Sequence, residues 1–226
     1  MTVGFRINPI KKSADADSGL IAAFAKQAVS HLSDSMGRAQ TAASAIRPMH
    51  GGVGILCGPA LTVRVAPGDH LMVQKALDLA NPGDVIVVDA GGLTEVAMIG
   101  DIMTTYAAQR EIAGFVIDGA IRDLADIARR DLPVYARGVS PRGPTRVGPG
   151  EIYCAVCIGG MIVKYGDIIV GDADGLVAVP AEDAQTVLAA ALKLREKEED
   201  TFKAIAAGTF DRSWIDATLQ QRGCAM

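Results

Sequence analysis

PGDVIVVDAGGLTEVAMIGDIMTTYAAQREIAGFVIDGAIRDLAD, residues 82 to 126, decides the fold. Within it, Val85 to Asp89 and Gly114 to Asp118 are short β-rich runs, each ending in an acidic residue followed by a glycine-containing loop. A helical pattern from about Gly100 through Thr105 and Ala108 to Ile112 separates them. The order is strand, loop, helix, strand, loop, and parallel sheets place ligands in the loops beyond the carboxyl ends of their strands. Into those loops the chain puts Gly91, Gly92, Gly100, Asp101, Arg122 and Asp123. An arginine and two carboxylates beside glycine backbone point to a site for a small anion and a metal ion.

The helix that begins at Gly100-Asp101-Ile102-Met103 adds to this, because its first N–H groups lack intrahelical partners and its dipole favours a carboxylate there. Asp101 taken alone reads equally well as an N-terminal cap. The second loop, DGAIRD, tips the balance by delivering Arg122 and Asp123 to the start of a further helix, Leu124 to Arg130. Asp126 has a plainer reading, as a partner of Arg122 or Arg130.

Working outward, residues 1 to 17 read as an irregular arm. Ser18 opens a helix with Leu20, Ile21, Phe24, Ala25, Val29 and Leu32 at helical spacing, broken over Ser33 to Gly37. Ile55 to Cys57 and Leu61 to Val65 read as paired strands punctuated by Gly58-Pro59. Pro67-Gly68-Asp69 opens a helix over Leu71 to Ala80, with Asp69 as its cap. From Pro133 the runs PVYARG, EIYCAVCIGG, MIVKYGDIIV and GLVAVP predict a β-rich second half packed on the first. DADG, residues 172 to 175, lacks the closing glutamate of a calcium loop and reads as turn chemistry. Pro180-Ala-Glu-Asp begins a long helix to about Ala206, with Glu182 and Asp183 in its first turn and a highly charged later part, LREKEEDTFKAI. The domain therefore spans 18 to 206, with a tail over 207 to 226 whose tryptophan is expected to meet a partner.

Of the 226 residues, 50% are apolar and 4% aromatic, which calls for a core of Ala, Val, Ile and Leu in a single α/β domain. The net charge of −4 comes without a basic block, so nucleic-acid binding is not expected. The N-terminus lacks an apolar signal core and no run of about 18 apolar residues occurs, so neither secretion nor membrane insertion is expected, and the location follows as cytoplasmic. Cys57, Cys154, Cys157 and Cys224 read as free thiols, and Cys154 to Cys157, inside a strand-like run without a second cysteine pair or histidine, as packing. His31 and His50 are isolated and read as structural, and all three histidines, His70 included, lie outside the glycine-rich loops, which counts against a phosphohistidine.

Several blocks together resemble the family that contains regulator of ribonuclease activity A and the 4-hydroxy-4-methyl-2-oxoglutarate/4-carboxy-4-hydroxy-2-oxoadipate aldolases. They are PGDHLMVQKALDLANPGDVIVVDAGG, GDIMTTYA, IDGAIRD, YARGVSPRGPTRVGPGEI and GDIIVGDADGLVAVP, within residues 20 to 200. The aldolases in it are marked by an aspartate, twenty residues and then Arg-Asp; here that is Asp101, residues 102 to 121, and Arg122-Asp123. The resemblance implies a swivelling β/β/α fold in trimers or dimers of trimers, with sites between subunits. It implies a divalent metal, Mg²⁺ or Mn²⁺, near Asp123, a small 2-oxo acid substrate and pyruvate as product. By the same resemblance Asp101 and Arg122 are catalytic, the backbone of Gly100, Asp101, Ile102 and Met103 binds the carboxylate with Arg122, and Glu198, chosen over Glu196 and Glu199, reaches in from a neighbouring subunit. A ribonuclease-binding regulator without enzymatic activity is the alternative that the family offers.

Overall fold

The computed structural model describes residues 4–10, 18–51 and 54–225. In chain order the elements are β1 (Phe5–Ile7), α1 (Ser18–Phe24), α2 (Val29–Ser35), β2 (Arg47–Pro48), β3 (Leu56–Val65), α3 (Leu71–Leu79) and β4 (Val85–Asp89). There follow β5 (Ala97–Ile99), α4 (Asp101–Gln109), β6 (Gly114–Ile121), α5 (Leu124–Ile127) and β7 (Val134–Val139). The second half supplies β8 (Gly150–Ile152), β9 (Val156–Ile158), β10 (Met161–Val163), β11 (Ile168–Asp172), β12 (Gly175–Val179), α6 (Ala184–Ala206) and α7 (Ser213–Gln221).

Four parallel strands, β3, β4, β6 and β7, form the centre of the sheet, in register from Ala60 opposite Val85 and Val85 opposite Gly114. They read as unbroken Val/Ile runs because both faces are buried. Ile86, Val88, Phe115 and Ile117 pack against α3 and α4 through Met72, Val73, Leu77 and Ala107. Val85, Val87 and Val116 point the other way, onto Val156, Ile158, Met161 and Ile169. A third cluster joins β11 and β12 to Phe24, Leu32, Val187 and Leu188 of the N- and C-terminal helices. Such an α/β domain with a C-terminal helix is the expected architecture.

The structure redraws several expected elements. Ile55 to Val65 is not a hairpin: β3 runs unbroken through Gly58-Pro59, and the dipeptide marks where its antiparallel partner β11 gives way to its parallel partner β4. Gly58 is required by contact, since a Cβ there would collide with the Gly83 carbonyl oxygen. The expected helix from Ser18 is two helices, because Ala28 is extended (φ −65°, ψ 140°) and turns Val29 and Leu32 onto the same core as Phe24. Residues 1 to 17 are not wholly irregular, because Phe5–Ile7 pairs in parallel with β8; residues 1–3 and 11–17 lie outside the described residues. The final strand of the opening stretch extends past Asp118 to Ile121, since Ala120 and Ile121 still pair with Gly138 and Val139. Residues 97–99, expected as loop, add β5 beside it, and the helix after Asp123 stops at Ile127.

Asp89 and Asp118, which end the two diagnostic runs, brace the β9–β10 hairpin: Asp118 Oδ2 accepts the Gly159 N–H at 2.7 Å and Asp89 Oδ2 that of Cys157 at 3.3 Å. Arg137 Nε donates to Asp118 Oδ1 at 2.5 Å. Cys154 packs against the second core cluster, whereas Cys157 is exposed; all four cysteines are free. Among the described residues, no helix is long and apolar enough to cross a membrane.

Gly58→Ala is expected to lower stability by roughly 1–3 kcal/mol, the usual cost of forcing atoms into a filled site. A shifted midpoint in urea unfolding would show it, and an unchanged midpoint would contradict the close approach of β3 to Gly83.

Candidate functional site

Two loops meet at the carboxyl ends of β5 and β6. Gly100, extended at φ −152° and ψ −167°, turns the chain from β5 into α4. Asp123 turns it from β6 into α5 in a left-handed conformation (φ 58°, ψ 38°), which aspartate tolerates better than most residues. Two hydrogen bonds hold the junction: the Asp101 N–H donates to Asp123 Oδ2 at 3.0 Å, and the Arg122 N–H donates to Ile99 O, at the end of β5, at 3.0 Å. Arg122 Nε lies 3.7 Å from Asp123 Oδ2. Glycine is needed at 100 because a Cβ would collide with Asp123 Oδ2 and come within 2.9 Å of Arg122 Cγ.

Gly100, Asp101, Ile102, Met103, Arg122 and Asp123 are thus brought together as expected. The amide cradle differs from expectation, however. Asp101 N–H is committed to Asp123, and Met103 N–H donates to Gly100 O at 3.1 Å. Ile102, whose N–H has no acceptor within the helix, remains for an anion. Asp101 is not a cap: its Oδ1 accepts from Arg130 Nε at 2.8 Å and Nη2 at 2.6 Å, which fixes the carboxylate and leaves Oδ2 for another partner. Asp126 pairs with Arg129 rather than with Arg122 or Arg130.

Glu198 stays apart from this group within the protomer, its Oε2 lying 2.8 Å from His31 Nε2 where α6 packs on α2. For a metal, Asp123 and the open Oδ2 of Asp101 are the available donors; among the described residues no cluster of three or more His, Cys, Asp or Glu forms. One or two carboxylates, completed by water and ligand oxygens, suit a hard cation such as Mg²⁺ or Mn²⁺ and not a dedicated protein cage.

The cavity over these loops has a volume of about 100 Å³, and His70, Met103, Arg122, Asp123 and Arg146 are among its walls. A larger groove of about 450 Å³ adjoins it, sharing Gln74, Ile102, Met103 and Arg146 and adding Leu71, Leu77 and Tyr106. The sequence reading gave Gln74 and Arg146 no role, set His70 outside the active loops, and took Arg130 only as a partner of Asp126, whereas the structure puts His70, Gln74 and Arg146 in the cavity wall and Arg130 on Asp101. The usable signal was the Gly/Pro-rich stretch SPRGPTRVGPG, which follows the carboxyl end of β7 where ligand loops gather.

Asp69 and His70 clasp that stretch from the start of α3. Asp69 Oδ1 accepts the Leu71 N–H at 3.0 Å, the capping role expected of it. Its Oδ2 also accepts from Val147 N at 2.5 Å, Gly148 N at 2.9 Å and Thr145 Oγ1 at 3.0 Å. Burial raises the Asp69 carboxyl, but these hydrogen bonds outweigh it and hold it below the usual carboxylate range. His70 Nδ1 faces the Met98 carbonyl at 3.2 Å, while Nε2 faces Arg146 Nε at 3.1 Å and Gln74 Nε2 at 2.7 Å. A carbonyl can only accept and a guanidinium only donate, so the ring is the neutral tautomer with its proton on Nδ1. Burial pushes the imidazole pKa down; the Met98 carbonyl opposes this and Arg146 reinforces it.

The lowered His70 pKa fixes the sign of a pH effect. Between the folded value and the ordinary value of about 6.5, the unfolded chain binds more protons, so this contribution to stability is present above about pH 6.5 and lost as pH falls below it. His70→Gln is expected to flatten the decline between pH 7 and 5 in urea titrations; an identical decline would remove His70 as its source. Gly100→Ala is expected to leave the core folded while breaking the Asp101–Asp123 hydrogen bond. Faster hydrogen exchange at the Asp101 amide would report that loss, and unchanged protection would contradict the predicted collision.

Comparison with known proteins accords with this geometry. The model of the RraA-like family, described as Aldolase/RraA, matches residues 29–178. A protein of Halalkalibacterium halodurans named "Putative 4-hydroxy-4-methyl-2-oxoglutarate aldolase" is 39% identical over 175 residues, 77% of this chain and 83% of that one. An uncharacterized protein from Pseudomonas syringae superposes with a TM-score of 0.79 at 25% identity, covering 89% of this chain and 94% of its own. Streptomyces coelicolor RraAS2, described as an unusual member of the RNase ES inhibitor RraA family, superposes at 0.74 with 25% identity over 83% and 98%. With the family model spanning the four central strands and both site loops, this chain belongs to the RraA-like family.

Proposed function

We propose that the protein is a divalent-metal-dependent aldolase. In this reading it cleaves 4-hydroxy-4-methyl-2-oxoglutarate or 4-carboxy-4-hydroxy-2-oxoadipate to pyruvate and a second 2-oxo acid, working in the cytoplasm. The observation that carries the reading is the hydrogen bond from the Asp101 N–H to Asp123, which joins two loops that put Gly100, Ile102, Arg122 and Asp123 into the wall of a small cavity. The name of the Halalkalibacterium relative supports it.

Asp123 would hold Mg²⁺ or Mn²⁺, which when bound supplies an electrophile for the 2-oxo acid end of the substrate. Arg122 presents a planar fork to the same end and stabilises negative charge as it builds on the 2-oxo oxygen. The Ile102 N–H, at the positive end of α4, faces the substrate carboxylate. Asp101, oriented through Oδ1 by Arg130, accepts the C4 hydroxyl proton on Oδ2. The C3–C4 bond then breaks: C4 becomes a carbonyl carbon and the bonding pair passes into the enolate of pyruvate, which takes up a proton at C3. Oxaloacetate loses carbon dioxide through the same enolate, so decarboxylation is a side activity of this site. Among the described residues no lysine lines the inner cavity, which argues against a Schiff base.

Glu198 enters the reading as a contribution from a neighbouring subunit in a homotrimer or dimer of trimers. A regulator that binds a ribonuclease is the second reading, favoured by the likeness to the Streptomyces RraAS2 structure.

A coupled assay for pyruvate separates the two. Pyruvate release from 4-hydroxy-4-methyl-2-oxoglutarate is expected to stop with EDTA and return with Mg²⁺ or Mn²⁺; no release with any added metal favours the regulator. Arg122→Lys is expected to lower kcat by roughly 10²–10³-fold, the scale of one lost oxyanion donor. Near-normal turnover would remove Arg122 from this role.

A further inference from the structure

The inner cavity is too small to be the whole site. Pockets for small molecules commonly measure about 300–1,000 Å³, whereas this one holds about 100 Å³ and opens beside a groove of about 450 Å³. The adjoining groove offers room for the part of a substrate beyond its three-carbon 2-oxo acid end. Arg146 and Gln74 line both spaces, at their junction.

Arg146 does not lie there by chance of a loose surface loop. Its stretch is fastened on both sides: His70 N–H donates to Thr145 O at 3.1 Å, Thr145 N–H donates to Gly68 O at 2.8 Å, and Asp69 accepts from Thr145, Val147 and Gly148. Within that clasp the side chain is aimed by its Nε, 3.1 Å from His70 Nε2, an acceptor it shares with Gln74 Nε2 at 2.7 Å. With Nε engaged, the two terminal nitrogens of the guanidinium are left for an anion. The imidazole that aims it is itself fixed, its Nδ1 proton on the Met98 carbonyl and its ring buried. A buried neutral histidine whose lone pair accepts from an exposed arginine adds little to the core. It does preset one rotamer of a long cationic side chain, lowering the entropy cost of binding an anion there.

We propose that Arg146 is the anchor for a second carboxylate of the substrate, at the junction of the two cavities, and that His70 is the positioning residue that holds it there. The proposal rests on the aldolase reading for the first carboxylate, which lies against Arg122 and the start of α4. It gives the carboxylate beyond C3 of the substrates proposed above a partner of its own in this chain. The neighbouring walls, Leu71, Leu77 and Tyr106, leave apolar space for a substituent on the carbon next to that carboxylate.

The test uses two unreactive probes, pyruvate with one carboxylate and 2-oxoglutarate with two, their affinities measured by calorimetry on the full-length protein with Mg²⁺ in the buffer. Wild type is expected to bind 2-oxoglutarate at least tenfold more tightly than pyruvate. Arg146→Met, which keeps the apolar stem, is expected to erase that ratio while changing the pyruvate affinity less than about twofold. His70→Phe is expected to reduce the ratio in the same direction, and His70→Gln, whose Oε1 can still accept from Arg146, to restore most of it. A merely structural role for His70 would move both affinities together or neither. The proposal is overturned if wild type binds neither acid, if it shows no preference, or if Arg146→Met keeps the preference. The outcome is separate from that of the reaction: preference lost in Arg146→Met without any aldol cleavage keeps the subsite and sinks the aldolase, whereas metal-dependent cleavage with an unaltered ratio does the reverse.

Discussion

A hydrogen bond from the Asp101 amide to the Asp123 carboxylate couples the two loops of the candidate site. It ties the start of α4 to the left-handed turn after β6, and the Gly100–Met103 and Arg122–Asp123 walls of the inner cavity hang from those two points. Arg122 precedes the turn; Ile102 and Met103 follow the amide. A side chain at 100 would occupy the position of the Asp123 oxygen, so a glycine there is a condition for the bond to exist. The geometry also shows why an aspartate holds a left-handed backbone at 123. The strain of that conformation is set against an amide hydrogen bond and a neighbouring guanidinium, which a residue without a carboxylate could not engage.

Around this junction the protein separates rigidity from chemistry. The four parallel strands bury both faces in aliphatic side chains, and Asp89 at the end of β4 and Asp118 within β6 hydrogen-bond to the β9–β10 hairpin. The carboxylates placed for chemistry come one loop later, past the last sheet pairings. Arg130 and Asp69, both outside the inner cavity's walls, each fix a part of the site from behind: Arg130 orients the Asp101 carboxylate, and Asp69 holds the loop that carries Arg146. Residues of this kind decide how sharply the site is preorganised, and they touch no ligand.

The sequence exposed the local part of this arrangement and concealed the long-range part. Val85–Asp89 was legible to the residue because a Val/Ile run bounded by Pro-Gly and Gly-Gly has few other readings. The end of β6 was hidden, since Asp-Gly signals a turn and only pairing with β7 carries the strand on to Ile121. The break at Ala28 was hidden because helical periodicity passes over a single extended residue. Gly100, Asp101, Arg122 and Asp123 could be placed from their order along one strand–helix–strand unit. His70 and Arg146 could not: they are 76 positions apart, and an isolated histidine carries no mark of the arginine that folding sets against it. The role given to Glu198 depends on a second subunit, and in one protomer the residue faces His31.

The path of β3 bears on how the chain emerges from the ribosome. Its second half pairs with β4, made about 25 residues later, but its first half waits for β11, about 110 residues further on. Synthesis at roughly 5–20 residues per second leaves that half-edge unpaired for several seconds while the parallel core is already able to form. Leu56 to Pro59 is then an open template at the side of a growing sheet, the kind of edge that recruits strands from other chains. Gly58 and Pro59 fall within those four residues. One has low strand propensity and the other offers no N–H, so the segment is a poor partner for a stranger until β11 arrives.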